Sequence, residues 1–491
     1  MPVTLCSRPA VRWRWPQLWR HKTCAFSLSA TLLLTGCASF SPDGGMSVTA
    51  DLAARHLRKD VAAIRSDEDA DAARARVRSL LKRPLTADTA VQIALLNNRG
   101  LQAAYNELGI ADAQRVQQSL PPNPTFSISR LAGAAEIEVE RQIAGNILAL
   151  LTLPARTEVA NERFRRAQLA AALETLRVAA EARKAFYRAT ATGQLVSLLE
   201  QVRSASGTTA ELAKRMGESG AMNKLDQSRQ QLLHAELSAE IVRAQQRATM
   251  ARERLVRALG LSGKELAFKL PARLPSLPKR ALALRAVEQD AIKSRVDLQI
   301  AQSELDSLAK SYGLTKATRF INVLEAGYVN KLTQERQTGE HKHDSGFELE
   351  LQIPIFDFGE ARVREAEQTY MQAVNRLAQK AVNARSEARE AYRNYRSGYD
   401  VAMRYQRDVL PLRNAISEEL MLRYGAMQVD VFALLTEARQ KVAANTNAVE
   451  ALRDFWLASA DLQSSIIGGA GAATEQSSAT MAAAADESAG H

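Results

Sequence analysis

The chain has 491 residues, is 46% hydrophobic but only 5% aromatic, and carries a formal charge of +11. Small apolar side chains suit long, close-packed helices better than one thick core. After Thr35 no apolar run approaches the ~18 residues of a membrane helix, which excludes a polytopic helical membrane protein, and the composition is neither disordered nor collagen-like.

Residues 1–36 read as a signal peptide and stay outside the fold. Arg8, Arg12, Arg14, Arg20 and Lys22 form a basic n-region without acidic residues, and Cys24 to Thr35 is a short apolar h-region. The segment ends in Leu34-Thr35-Gly36-Cys37, which resembles a bacterial lipobox with cleavage before a diacylglyceryl cysteine. Cys37 is therefore the expected lipidation site; the plainer alternative is an ordinary secretory signal with a chance cysteine. Cys6, Cys24 and Cys37 are the only cysteines, so the cleaved chain has no pair for a disulfide. More than one acyl chain on a residue holds a protein stably to a membrane. By likeness to lipoprotein sorting, Ala38 rather than aspartate after the cysteine points to the outer membrane. Loss of five positive charges with the signal takes +11 to +6. The remaining charges are mixed in sign along helical stretches, as on solvated helix faces. No basic block with interleaved aromatics points to nucleic acid.

From residue 84 onward prolines punctuate the chain, at 84, 121, 122, 124, 154, 271, 275, 278, 354 and 411. Residues 37–84 read as a lipidated N-terminal segment with a short helix. Residues 85–280 open with a helix, and alternating polarity then predicts strands over about 124–131 and 136–143. From Ala155 to about Met216 no proline interrupts a helix of roughly 60 residues, about 90 Å at 1.5 Å per residue. Leu233, Leu237, Ile241, Ala244, Ala248, Ala251 and Leu255 then step by three or four. Residues 281–467 repeat the order, with strands expected over about 319–329 and 347–354. A stripe from Val363 through Ala366, Tyr370, Val374, Leu377, Ala381, Ala384, Ala388 and Ala391 to Tyr395 argues coiled-coil-like packing. Asn330 to Gly346, with His341-Lys342-His343, reads as a polar outer loop; a lone HxH is a weak metal signal. The Ala/Ser/Gly-rich tail, 468–491, reads as disordered.

The two halves are an internal repeat. Leu101-Gln102 recurs as Leu298-Gln299, Glu138, Glu140, Gln142 and Ile143 as Glu348, Glu350, Gln352 and Ile353, and Gly220-Ala221-Met222 as Gly425-Ala426-Met427, at offsets of 197, 210 and 205. Four alternating strands cannot close a barrel, since the smallest outer-membrane barrels need eight, and in lipid no edge can stay unpaired. Narrow alanine stripes likewise need several neighbours. Both arguments demand an oligomer.

The run Gln352-Ile353-Pro354-Ile355-Phe356-Asp357-Phe358-Gly359 into Arg362 resembles the strand-to-helix signature of the TolC family of outer-membrane efflux proteins, in its lipoprotein subgroup. Leu150-Leu151-Thr152-Leu153-Pro154-Ala155-Arg156 sits at the equivalent place of the first half, Arg423-Tyr424 with Arg439 fits the family's second periplasmic turn, and Leu85-Thr86 through Leu101 its opening helix. The resemblance spans about 85–465. It implies a fold mainly α with a membrane β portion: helical hairpins forming a periplasmic α-barrel, and four strands per chain in a trimeric, 12-stranded outer-membrane β-barrel. It also implies a periplasmic adaptor protein and an inner-membrane pump as partners of the homotrimer. The family's usual second-turn glycine is displaced, with Met427 in its place, and its two aspartates after that turn fall on Ala433 and Thr436.

No HExxH, P-loop, nucleophile elbow or CxxC is present, so the expectation is no enzyme, no cofactor and no resident metal. Gly217, Gly220 and Met222, and Gly425 and Met427, mark the tips of the rods, where glycine permits reversal. The resemblance makes these tips adaptor-facing. Asp226 and Asp430 follow the tips: three-fold symmetry would set each as a constricting ring of charge, whereas alone each is a carboxylate at a helix N-terminus. Competing readings are a lipid-anchored periplasmic coiled-coil adaptor or scaffold without a pore, and an exported enzyme, for which no site is present.

Overall fold

The computed structural model describes residues 39–220, 222–283 and 286–468. The signal peptide, Cys37 and the tail beyond Gly468 lie outside the described residues. The N-terminal segment holds two helices, α1 (Met46–Leu57) and α2 (Asp67–Leu81), where one was expected. The second starts at a capping box in which Ser66 and Asp69 satisfy each other's backbone N–H, with Asp67, Glu68 and Asp69 in the first turn. Next come α3 (Ala87–Asn97) and α4 (Arg99–Ser119), divided at Asn98, whose side chain accepts from the Leu101 N–H at 3.1 Å. Prolines 121, 122 and 124 stop α4 and release the chain into β1 (Thr125–Ala132) and β2 (Glu136–Asn146).

A short α5 (Ile147–Leu151) leads into α6 (Leu153–Glu218), a single helix of 66 residues, about 99 Å long at 1.5 Å per residue. It reverses into α7 (Lys224–Leu259). The second half repeats this as α8 (Val287–Ser294), α9 (Val296–Ala317), β3 (Val323–Glu335), β4 (His341–Gln352), α10 (Glu360–Arg404), α11 (Leu410–Gly425) and α12 (Val431–Ile467). Helices α10 and α11 are one rod interrupted by a π turn over Tyr405–Val409, and from Glu360 to Gly425 it has the same 66 residues as α6. Pro411 lacks an N–H and its ring crowds the carbonyl four residues back. The widened turn, closed by the Leu410 N–H on the Tyr405 carbonyl, relieves that crowding.

The largest core lies where α3 and α4 pack on α6 and α7. Fully buried Ile93, Leu95 and Leu101 meet Ala182, Phe186, Leu255 and Leu259. A second cluster joins Val287 and Ala291 of α8 to Tyr395 and Tyr399 of α10 and Phe455 of α12. Along α7 the predicted stripe is buried at Leu233, Leu237, Ile241, Ala244 and Leu255. Along α10 it is buried at Ala384, Ala388 and Tyr395, but from Val363 to Ala381 it is only half-buried.

The strands form one antiparallel sheet in the order β1-β2-β3-β4, so the β2–β3 pairing joins the two halves. The second hairpin is longer than its alternation indicated. Strands expected over 319–329 and 347–354 run over 323–335 and 341–352, and the predicted outer loop shrinks to residues 336–340. Polar residues fall on both faces over 330–335 and 341–346, which erases the alternating signal while the backbone ladder continues.

Candidate functional site: a two-faced sheet and two helical tips

Register sorts the sheet's side chains sharply. One face carries a row that crosses all four strands, Phe126, Ile143, Tyr328 and Phe347. Leu324, Ala326, Leu349 and Leu351 extend it toward the helices on the same face. Phe347 is 91% exposed in the single chain. The opposite face carries Ser127, Ser129, Glu138, Glu140, Gln142, Lys331, Asp344, Glu348 and Glu350. Lys331 pairs with Glu138 at 2.7 Å, and Gln142 donates to Glu348 at 2.6 Å across the intervening strand. Gly327 leaves room for that span: a Cβ there would lie 3.5 Å from the Gln142 amide nitrogen. Such a sheet suits a wall between hydrocarbon and water. Its outer strands, β1 and β4, have no partner on their far sides among the described residues.

Where β4 returns to helix, the signature run Ile353 to Gly359 makes a tight elbow. The Phe358 N–H donates to the Pro354 carbonyl at 2.7 Å, and the Gly359 N–H to an Asp357 carboxylate oxygen at 2.9 Å. Phe358 and Gly359 are both left-handed, at φ 49° and 72°. A Cβ on Gly359 would fall 2.2 Å from the Arg319 carbonyl oxygen, so only glycine fits. The elbow presents Ile353, Ile355, Phe356 and Phe358 to the outside, Phe356 at 99%. With Leu150 and Leu151 of α5 they collar the helical end of the sheet.

The tips lie at the far ends of the rods. At the first, Gly217 closes α6 against α7, where a Cβ would meet the Gln227 side chain at 2.7 Å, and Gly220 takes the left-handed turn at φ 80°. Met222 follows, its N–H on the Met216 carbonyl at 3.1 Å. At the second tip Gly425 does not itself make the reversal. Gly425 is the last residue of α11, without positive φ, and Met427 takes the left-handed position at φ 58°, 94% exposed. The N–H groups of Met427 and Gln428 close the helix on the carbonyls of Tyr424 and Arg423, a Schellman ending that fixes the left-handed residue one place after Ala426.

Asp226 and Asp430 both sit in capping positions. Asp226 accepts from the Asn223 side chain at 2.8 Å and from Arg229 at 3.1 Å, and its own N–H donates to Asn223, the N-cap of α7. Asp430 is the N-cap of α12, accepting from the Ala433 N–H at 3.0 Å. Arg229 also lies over the Phe432 ring at 5.1 Å, which ties the first tip to the second. Higher up, Arg439 of α12 pairs with Glu236 of α7 at 2.8 Å. A groove of about 840 Å³ runs between the hairpins, lined by Val202, Leu233, Leu237, Met421, Leu434 and Val442. Glu437 lines it too, buried, with one oxygen on Arg413 at 3.0 Å and the other without a partner. Periodicity alone gave no sign of this carboxylate; its place on the apolar side of α12 was the only available signal.

The chain enters the fold through a clamped strap. The Ser41 N–H donates to the buried Asp112 carboxylate at 2.8 Å, and Arg115 bridges Asp112 to the Ser39 carbonyl at 2.8 Å while lying over Phe164. Asp43 accepts from the Ser41 hydroxyl and from the Gly45 and Ser47 N–H groups, which lowers its pKa to about 2. Cys37 itself lies outside the described residues, two positions before the clamped Ser39.

No protein-family model matches the sequence, and no curated protein matches it either. Solved structures do match. CusC, described for its conformational changes on folding and transmembrane channel formation, is 17% identical over 78% of this chain and 92% of its own, with a TM-score of 0.66. The outer-membrane channel OprN is 18% identical, covering 80% and 92%, at 0.63. The open state of the MtrE outer-membrane channel of Neisseria gonorrhoeae is 16% identical, covering 78% and 88%, also at 0.63. Long paired rods and a four-stranded, two-faced sheet in one polypeptide are thus the fold of outer-membrane channels, and this chain has that fold.

Proposed function

We propose that the protein is a TolC-family exit duct of the outer membrane, a lipoprotein anchored through Cys37. Three chains pool their strands into a twelve-stranded barrel and their rods into a periplasmic tunnel. The carrying observation is the sheet: an acid-rich polar face, an apolar face with a cross-strand aromatic row, and two edges that only further copies can pair. The likeness in fold to outer-membrane channels supports the same reading. So do the half-buried stripe of α10 and exposed apolar residues such as Met371 and Val382 on the same helix, which further rods would cover.

In this reading the protein performs no chemistry. A periplasmic adaptor meets the tips around Gly217, Gly220, Met222, Gly425 and Met427, and an inner-membrane pump delivers the substrate. The polar sheet face lines the exit, where paired and unpaired carboxylates hold water and cations. Asp226 and Asp430, repeated by three-fold symmetry, ring the narrow end. Full-length protein purified in detergent should run as a trimer and conduct in planar bilayers; a stable monomer without conductance overturns the duct and favours a scaffold. Asp226→Asn with Asp430→Asn keeps amide capping at both helix starts while removing the charge. The double variant should lose cation preference or raise conductance, and unchanged currents would remove the constriction.

A further inference from the structure

The faces of the sheet differ in more than polarity. Glu136, Glu138, Glu140, Glu325, Glu335, Asp344, Glu348 and Glu350, all the carboxylates of the four strands, share the polar face. The apolar face has none. It carries instead Arg130, Arg141, His341 and His343, and none of their side chains has a hydrogen-bond or ion-pair partner among the described residues. The two lysines of the opposite face, Lys331 and Lys342, are each paired with a carboxylate.

These four residues are also gathered in height. Ile128 faces Arg141 and Arg130 faces Val139, so the two arginines are diagonal neighbours on adjacent strands, within reach of long side chains. The row of Arg141 continues through Asn330 to Ser345, and His343 is diagonal to Asn330. The cluster therefore presents guanidinium, amide, hydroxyl and imidazole groups with no anion. Arg130 stands four residues from Phe126, about 14 Å along the strand at 3.4 Å per residue. It lies on the side of the turns at 133–135 and 336–340, away from the helices. An arginine facing hydrocarbon costs about 2–4 kcal/mol at the midplane and little near the surface. This position suits the head-group level of the outer leaflet.

We propose that this patch, Arg130, Arg141, Asn330, Ser345 and His343 with His341 above them, docks the phosphate group of an outer-leaflet lipid. The occupant is a phosphorylated membrane lipid, because charge complementarity supplies the phosphate contact, and Ile128, Phe126, Ile143 and Tyr328, next on the same face toward the helices, supply an apolar surface for its chains. The proposal rests on the barrel reading, since only that reading sets this face in lipid.

The test uses the full-length oligomer in phosphatidylcholine nanodiscs doped with diphosphorylated lipid A or its dephosphorylated form, with retained lipid counted by native mass spectrometry. Diphosphorylated lipid should be retained about tenfold better, in line with loss of one or two charge-assisted hydrogen bonds in the other. Arg130→Gln with Arg141→Gln should abolish the difference, Arg130→Lys with Arg141→Lys should keep part of it, and Lys331→Gln on the opposite face should leave it intact. Inorganic phosphate at equal concentration should not compete. Equal retention of both lipids, an unaffected glutamine variant, or competition by inorganic phosphate overturns the proposal. Conductance of the same preparation separates the two claims: a conducting trimer without lipid preference removes only the patch, and a silent monomer removes the duct with it.

Discussion

Met427 illustrates how a single residue can hold a position its chemistry disfavours. A left-handed conformation costs an L-residue about 1–2 kcal/mol, and glycine, which escapes that cost, forfeits about 0.5–1 kcal/mol of the gain through its greater loss of chain entropy. Met427→Gly should therefore leave the tip unchanged or up to about 1 kcal/mol more stable. Met427→Val, branched at Cβ, should loosen it by about 1 kcal/mol or more. Protection of the Gln428 amide, bonded to the Arg423 carbonyl, reads both outcomes by hydrogen exchange. The family resemblance sets Met427 in the place of the usual second-turn glycine, whereas composition alone points to Gly425, because the offset is set by helix-end hydrogen bonds rather than composition.

Among the elements, the elbow between β4 and α10 is the most demanding. Gly359→Ala places a methyl against the Arg319 carbonyl in a left-handed backbone, and should cost about 2–4 kcal/mol, measured by denaturant midpoint. The strap has its own signature. Hydrogen bonds to Ser41, Gly45 and Ser47 hold the Asp43 carboxyl down to about 2, below its ordinary 3.8. A depressed carboxyl stabilises above its unfolded pKa, so the strap's contribution should be intact at neutral pH and fade between about pH 4 and 2. The protection of the Ser47 amide, bonded to Asp43 at 2.7 Å, taken as its exchange relative to the intrinsic rate at each pH, should fall as pH drops through that window and stay flat from pH 5 to 8. Helical stripes and the faces of β1 and β2 were legible because apolar residues recur there with a clean period, of three to four along the helices and of two along the strands. The upper halves of β3 and β4 were not, since Asn330, Gln334, His341 and Ser345 interrupt the apolar side while main-chain pairing carries the strands on. The π turn likewise left only Pro411 as its trace.

At the scale of the whole molecule, the single chain is unfinished. Val382 of α10 is 65% exposed on a long helix whose other side is packed. If the proposed trimer covers this face, Val382→Asp should lower the trimer fraction in analytical ultracentrifugation without reducing helical circular dichroism, since a charge at a covered face costs assembly more than the isolated helix. The two arms of the molecule were drawn to one ruler: the rod that descends to the tip has 66 residues in each half, π turn included. In the proposed trimer, a heptad removed from one arm alone would lift its tip by about 10 Å and notch the rim three times over. Changes of reach would then have to arrive in matched pairs, so the span that such a duct could bridge would be quantised by its own duplicated design.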